Sequence, residues 1–184
     1  MIIMPGKTIG IIGGGQLGRM MCLAAKAMGY RVAVLDPTPD CPCGQVADLE
    51  ITANYDDMNA IKKLAGASDV VTYEFENIDY EALAFLEKNA YLPQGSDVLR
   101  INQHRHREKT AIREMSIPVP NFTLINGARS LEENVFYPGV LKTTMGGYDG
   151  KGQVVLKTVG DLENAKKLAE SNECILDEWM PFTK

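Results

Sequence analysis

Apolar and polar positions at the start of the chain follow the order strand, helix, strand. Lys7 to Ile12 is a mostly apolar run typical of a buried strand. From Leu17 to Met28 apolar residues recur at helical spacing, and Gly29 is of the type that commonly ends a helix. A second apolar run, Tyr30 to Leu35, follows directly. The pattern predicts a βαβ unit.

The same alternation continues to about residue 95, where a different pattern begins. Before that point we expect strands at Ala47–Thr52 and Asp69–Tyr73 and helices at Asp56–Leu64 and Tyr80–Lys88. After it we expect a basic-faced helix over Asp97–Lys109, a helix at Ser130–Val135, a helix capped by Asp161 that runs through Ala169, and strands at Phe122–Ile125, Tyr137–Lys142, Val154–Lys157 and Glu173–Glu178. The sequence predicts an α/β domain over residues 1–95 and a smaller α+β segment over residues 96–184.

Composition and charge exclude several classes of protein. The 184 residues carry a net charge of −5 without a long basic run, so we expect no nucleic acid partner. No apolar stretch reaches the length of a membrane span, so no membrane partner is expected. Of the four cysteines, only Cys41 and Cys43 have metal-like spacing, and no second pair or histidine cluster completes a zinc site. These features predict a reduced, cytoplasmic protein.

A glycine turn, Gly13 to Gly18, joins the first strand to the first helix. Its G-x-G-x-x-G spacing places a helix N-terminus where an anion can bind, and Asp36 ends the next strand. These features suggest an NAD-dependent oxidoreductase. Two observations weaken that hypothesis, because prolines crowd the segment after Asp36 and Gln16 occupies a position that needs no particular residue. The motif alone leaves the question open.

Two carboxylates, Glu74 and Glu76, follow the predicted strand Asp69–Tyr73. If the strand continues, both side chains point the same way, at the end of a parallel sheet where ligands bind. The alternative is an acidic, solvated strand end without a function.

A second glycine-rich stretch lies between the strands Tyr137–Lys142 and Val154–Lys157. Gly146, Gly147, Gly150 and Gly152 fall close together between Lys142 and Gln153. Glycines let backbone N–H groups approach an anion, and a lysine adds a charge for phosphate. The stretch predicts a phosphate-covering hairpin, with an ordinary glycine-rich hairpin as the alternative.

Three motifs in order carry a resemblance to a known family. They are Gly13-Gly14-Gly15-Gln16-Leu17-Gly18, Tyr73-Glu74-Phe75-Glu76-Asn77 and Gly146-Gly147-Tyr148-Asp149-Gly150-Lys151-Gly152-Gln153. Together they resemble the ATP-grasp superfamily, and within it the carboxylating ligases of bacterial purine synthesis. The resemblance covers the whole chain. It implies a Rossmann-like, pre-ATP-grasp parallel sheet over residues 1–95 and the first, smaller part of an ATP-grasp domain over residues 96–184.

The resemblance also implies a reaction and its residues. ATP would phosphorylate bicarbonate to carboxyphosphate, and 5-aminoimidazole ribonucleotide would then be carboxylated on its amine, leaving ADP and phosphate. The implied ribonucleotide contacts are Gln16, Leu17, Glu74 and Glu76. The implied ATP contacts are Arg105, Lys142, Gly147, Tyr148, Asp149, Gly150, Lys151, Gly152, Gln153, Asp177, Glu178, Trp179 and Met180. The implied catalytic residues are Tyr148, Asp149 and Lys151.

The same resemblance implies partners and a missing part. Members of the family are longer than this chain, and their acidic Mg²⁺ ligands would lie in an absent C-terminal part, so no metal ligand is expected here. We expect ATP and Mg²⁺ as cofactors, a homodimer at full length, and no turnover by the 184 residues alone. Lys109 could be a solvated helix lysine and stays outside the predicted site, as do His104 and His106. A non-catalytic nucleotide-binding or scaffold protein is a further alternative.

Overall fold

The computed structural model describes residues 2–147 and 151–181, so the predicted roles of Tyr148, Asp149 and Gly150 lie outside the described residues. The chain divides into two compact units, residues 1–99 and residues 100–184. No helix within the described residues is long and apolar enough to cross a membrane.

The first unit is built on a four-stranded parallel sheet. Its strands are β1 (Thr8–Ile12), β2 (Arg31–Asp36), β3 (Leu49–Thr52) and β4 (Val70–Tyr73), in the order β3-β2-β1-β4. Its helices are α1 (Gln16–Ala27), α2 (Met58–Ala67) and α3 (Tyr80–Asn89), and α4 (Asp97–Asn102) follows at the end of the unit. The prediction of an N-terminal α/β fold on a parallel sheet is confirmed.

Both faces of this sheet are covered by apolar side chains. Ile12 and Leu35 belong to a core cluster that includes residues of α2 and α3. Ile11 and Val34, their neighbours in sequence, belong to another cluster that includes residues of α1. Successive strand residues point to opposite faces, so a sheet covered on both sides needs an uninterrupted apolar run. This need explains the continuous apolar runs that predict β1 and β2.

The second unit contains an antiparallel sheet covered by two helices. Its strands are β5 (Phe122–Ile125), β6 (Gly139–Thr143), β7 (Gln153–Leu156) and β8 (Cys174–Glu178), in the order β5-β8-β6-β7. Its helices are α5 (Arg105–Glu114), α6 (Gly127–Asn134) and α7 (Leu162–Ser171). Residues of α6 and α7 share one core cluster with residues of all four strands. The prediction of an α+β second part is confirmed.

One local prediction in the second half is wrong, and the cap predicted at Asp161 is right in position only. The helix expected over Asp97–Lys109 is interrupted, because His104 has an extended backbone and serves as the N-cap residue of α5. Asp161 does not cap α7 through its side chain. Its carboxylate instead accepts hydrogen bonds from the N–H groups of Lys157 and Thr158, which closes a single 3₁₀ turn before α7.

Asp36, at the end of β2, holds the first glycine turn through a hydrogen bond from Gly14 N–H. Its exposure is 7%, and its carboxylate accepts hydrogen bonds from Gly14 N–H, Thr38 N–H and the Tyr55 hydroxyl at 2.7–2.8 Å. Burial alone would raise the pKa of Asp36. The hydrogen bonds from Thr38, Gly14 and Tyr55 outweigh burial and hold the pKa below its usual value of 3.8.

We therefore expect Asp36→Asn to destabilise the protein in a pH-dependent way. A lowered carboxyl pKa contributes stability that is present above the unfolded-state pKa and is lost as the pH falls through the folded-state pKa. At neutral pH the substitution should lower the free energy of unfolding by about 1.5–3 kcal/mol, the value of hydrogen bonds to a charged group. The measurement is urea unfolding of both proteins at neutral pH and at a pH below the usual Asp value of 3.8.

The matched control is Asp56→Asn, because Asp56 is exposed on the surface of the same unit. It should change the free energy of unfolding by less than about 0.5 kcal/mol at either pH. A loss for Asp36→Asn that is the same at both pH values would contradict the role given to its ionised form.

Candidate functional site

The first glycine turn joins β1 to α1 in a close-packed arrangement. Gly13 has a φ of +104°, which favours glycine, and its N–H donates to the carbonyl of Leu35 at 3.0 Å. A side chain at Gly18 would collide with the carbonyl oxygen of Gly13. Gln16 and Leu17, the first residues of α1, are exposed beside this turn.

Glu74 reaches the same turn from the end of β4. A side chain at Gly13 would collide with the carboxylate of Glu74. Burial raises the pKa of Glu74, the nearby backbone N–H of Gly15 opposes the rise, and the charge of Asp36 adds to it. Because β4 ends at Tyr73, the alternation that would point Glu74 and Glu76 the same way does not apply. Glu74 is half-buried at the turn, whereas Glu76 is exposed.

This arrangement does not suit a dinucleotide. An NAD site would need Asp36 for a ribose and the N–H groups of the turn for a pyrophosphate. The oxygens of Asp36 are engaged by protein donors, as described above, and Gly14 N–H is one of them. The hypothesis of an NAD-dependent oxidoreductase is not supported.

A buried carboxylate in the second unit binds two lysines. The side chain of Asp177 on β8 is 4% exposed, and its oxygens lie 2.7 Å from Nζ of Lys109 and 2.9 Å from Nζ of Lys142. The strand register pairs Asp177 with Val140, which places Lys142 within diagonal reach on β6. We call these three residues the lysine–aspartate cluster. Two cations on one anion leave a net positive charge in a partly buried place, which favours an anionic ligand.

The cluster changes the interpretation of two residues. Asp177 was expected to contact ATP, but its carboxylate lies between the two lysines. Lys109 was left outside the predicted site as a possible solvated lysine, yet its side chain is 19% exposed and ion-paired. A signal was present in the sequence, because residues four apart on a helix share a face and Arg105 lies four positions before Lys109.

Arg105, the first residue of α5, contacts the first arm of the second glycine loop at two carbonyl groups. Its Nε donates to the carbonyl of Thr143 at 3.1 Å, and a terminal guanidinium nitrogen donates to the carbonyl of Gly147 at 2.7 Å. Thr143 N–H donates in turn to the carbonyl of Gly152 at 2.8 Å. The φ angle of Gly152 is +70°, in the left-handed region that favours glycine. Thr143, at the end of β6, therefore links Arg105 to the second described arm of the loop.

The other predicted ATP residues fall into two groups. Gln153 is the register partner of Lys142 across β6 and β7, and Lys151 is exposed just before β7. Glu178, Trp179 and Met180 lie at and beyond the end of β8.

Trp179 and Glu178 line a cavity of about 300 Å³. The remaining lining residues are Asn121, Phe136, Tyr137 and Pro138. Glu178 accepts a hydrogen bond from Nδ2 of Asn121 at 2.9 Å, and Trp179 N–H donates to the carbonyl of Pro138 at 3.3 Å. A cavity of this size with aromatic walls and a few fixed polar groups is typical of small-molecule sites.

The described residues offer no metal site. Among residues 2–147 and 151–181, no three His, Cys, Asp or Glu side chains are placed to hold an ion. Cys41 and Cys43 are buried free thiols, and burial raises their pKa to about 11 and about 12.

Two families match consecutive parts of the chain. Residues 6–103 match the ribonucleotide synthetase preATP-grasp domain, and residues 110–184 match the ATP-grasp domain. A curated relative, the N5-carboxyaminoimidazole ribonucleotide synthase of Bacillus subtilis (strain 168), is 55% identical over 98% of this chain and 48% of its own length.

Solved structures agree with this match. The chain superposes on the ADP complex of an N5-carboxyaminoimidazole ribonucleotide synthetase with a TM-score of 0.94 and 62% identity, over 98% of this chain and 49% of that one. The synthase of Aspergillus clavatus in complex with ADP and 5-aminoimidazole ribonucleotide matches with a TM-score of 0.83 and 26% identity, over 94% of this chain and 46% of that one.

The chain spans about half the length of the curated relatives it matches. The ribonucleotide synthetase match alone covers more than half of this chain, and the ATP-grasp match begins soon after it ends. The chain therefore belongs to the ribonucleotide synthetase family of ATP-grasp proteins.

Proposed function

We propose that this chain is part of an ATP-dependent carbon–nitrogen ligase of purine biosynthesis. The enzyme carboxylates 5-aminoimidazole ribonucleotide with bicarbonate to the N5-carboxyamino product and releases ADP and phosphate. The observation that carries the proposal is the grouping of Lys109, Lys142, Asp177 and Arg105 beside a glycine-rich loop, in a chain 55% identical to such a synthase.

The second unit is proposed to bind ATP. A net positive cluster and the Arg105 guanidinium suit the polyphosphate, and the cavity beside Trp179 suits a planar base. Related solved structures hold ADP or ATP. We assign ATP contacts to Arg105, Lys142, Gly147, Tyr148, Asp149, Gly150, Lys151, Gly152, Gln153, Asp177, Glu178, Trp179 and Met180, with Asp177 acting through its lysines.

The first unit is proposed to bind the ribonucleotide. Gln16 and Leu17 are exposed at the N-terminus of α1, where the helix dipole favours the single phosphate of a ribonucleotide. Glu74 lies half-buried at the same turn, so its carboxylate can accept hydrogen bonds from ribose hydroxyls or the amine. Glu76 is the second carboxylate of this assignment. The Aspergillus clavatus structure contains 5-aminoimidazole ribonucleotide together with ADP.

The chemistry follows from moving one phosphoryl group and one carboxyl group. The γ-phosphoryl group of ATP passes to a bicarbonate oxygen, giving carboxyphosphate and ADP. The ribonucleotide amine then takes the carboxyl group, releasing phosphate and a proton. Such steps depend on positioning and charge stabilisation, and we assign them to Tyr148, Asp149 and Lys151. Closure of the glycine loop would exclude water from carboxyphosphate.

Mg²⁺ would neutralise charge on the ATP phosphates. The described residues form no metal site, so we propose that its ligands lie outside them. We also propose that the full-length enzyme is a cytoplasmic homodimer.

The direct test is ADP release by the full-length protein. Release should require bicarbonate and 5-aminoimidazole ribonucleotide together, and label from ¹³C-bicarbonate should appear in the ribonucleotide product. ATP hydrolysis that depends on neither bicarbonate nor the ribonucleotide would contradict the proposal, as would turnover with NAD instead of ATP.

We expect Lys142→Ala in the full-length enzyme to weaken ATP binding much more than ribonucleotide binding. The loss of one charge-assisted contact should cost about 1.5–3 kcal/mol, roughly 10- to 150-fold in Kd. Lys157→Ala, at an exposed lysine just after β7, is the control and should change neither Kd more than about two-fold. Calorimetric titration measures both ligands, and equal losses for the two would argue against the assignment.

We expect the opposite pattern for Gln16→Ala. Gln16 lies at the first glycine turn, so its loss should raise KM for the ribonucleotide and leave KM for ATP nearly unchanged. Asn59→Ala removes a similar amide from the exposed surface of α2 and should change neither value. Steady-state kinetics with each substrate varied in turn decides the question, and a rise in KM for ATP alone would refute the assignment.

A further inference from the structure

His104 is held against a carboxylate just before α5. Its side chain is 12% exposed, and Nε2 lies 2.8 Å from Oε1 of Glu173, the residue before β8. A carboxylate accepts hydrogen bonds and does not donate them when ionised, so Nε2 carries the donated proton. Within the described residues Nδ1 is buried without a hydrogen-bond partner, which favours the tautomer with no proton on that atom. His104 therefore makes one directed contact, to Glu173.

Glu173 connects His104 to the end of β6. Oε1 of Glu173 also lies 3.1 Å from the hydroxyl of Thr144, and the carbonyl of Glu173 accepts the Thr144 N–H at 3.0 Å. Thr144 is 3% exposed, and its own carbonyl accepts the N–H of Arg105 at 2.9 Å. The contacts form a closed path from His104 through Glu173 and Thr144 to Arg105, which we call the loop-root network.

The loop-root network ends at Arg105, whose guanidinium contacts the glycine loop. Arg105 is the first residue of α5, so the position of its backbone depends on the contacts of its neighbour His104 and on its own bond to Thr144. Its side chain has two carbonyl targets, on Thr143 and Gly147, at 3.1 Å and 2.7 Å. Bidentate contacts of this kind tolerate little displacement of the guanidinium plane.

We propose that His104 and Glu173 are positioning residues for ATP binding. They act through Thr144 and Arg105, whose guanidinium fixes the start of the glycine loop. The inference deepens the proposed function, because it concerns the same ATP site and rests on it. His104 touches no nucleotide in this account. Its effect reaches ATP through the place and angle of Arg105, and the ribonucleotide site is unaffected.

The experiment uses the full-length protein and two pairs of variants. His104→Ala removes the donor, and His104→Gln supplies a side-chain amide N–H that can reach the same carboxylate. Glu173→Gln removes the charge of the acceptor, and Glu170→Gln is its control, an exposed residue on α7. The readouts are backbone hydrogen exchange without nucleotide and KM for each substrate.

The network predicts a specific pattern. In His104→Ala, exchange should speed up at Arg105 and at Thr144, and KM for ATP should rise about ten-fold, the size of one charge-assisted hydrogen bond. KM for the ribonucleotide should stay the same. His104→Gln should restore both readouts. Glu173→Gln keeps a neutral acceptor oxygen, so it should change both readouts in the same direction as His104→Ala but by less. Glu170→Gln should resemble wild type.

Two results would overturn the inference. One is wild-type exchange at Arg105 and Thr144 in both His104→Ala and Glu173→Gln. The other is a rise in KM for both substrates with faster exchange throughout the chain, which would show general destabilisation. Failure of the proposed function is distinguishable, because wild-type protein would then release no substrate-dependent ADP while hydrogen exchange would still decide whether the network exists.

Discussion

Asp177 is 3% exposed, so its carboxylate has lost nearly all contact with water. Such burial is unfavourable by several kcal/mol unless other charges and hydrogen-bond donors replace the water. Two ammonium groups replace that water, one from α5 and one from β6. This ion cluster ties the helix to the sheet at the place where the glycine loop begins. It also holds both lysine side chains in one geometry before a ligand binds. An anionic ligand can therefore interact with two positive charges that are already in place.

The first unit solves the same physical problem with backbone donors. Asp36 is held by the N–H groups of Gly14 and Thr38 and by the Tyr55 hydroxyl rather than by lysines. The directions of the pKa shifts differ accordingly. Asp36 accepts several hydrogen bonds and its pKa falls, whereas burial dominates at Glu74 and its pKa rises. The glycine turn is therefore a rigid element shaped by two acids, and it has little capacity left for the pyrophosphate of a dinucleotide.

Much of the fold could be predicted because its signals are local. Runs such as Tyr30–Leu35 predict strands covered on both faces, and glycines mark the turns. One error arose where a distant residue decides the outcome, and the other where a side chain bonds to near neighbours in the sequence. His104 interrupts a helical pattern where its side chain meets Glu173, far away in sequence, and Asp161 bonds backward to Thr158 instead of capping α7. The helical spacing of Lys109 from Arg105 places it on the same face of α5, but the sequence does not show its partner Asp177, a strand residue 68 positions away.

The central claim for the second unit is that Lys109 and Lys142 bind ATP together, because both are held by Asp177. A double-mutant cycle in the full-length protein measures this directly, with ATP affinity determined for Lys109→Met, Lys142→Met and the double variant. Residues that share one charged partner couple by about 0.5–3 kcal/mol. The account predicts losses that differ from the sum of the single effects by at least about 1 kcal/mol. Strictly additive losses, or no loss of ATP affinity in either single variant, would contradict it.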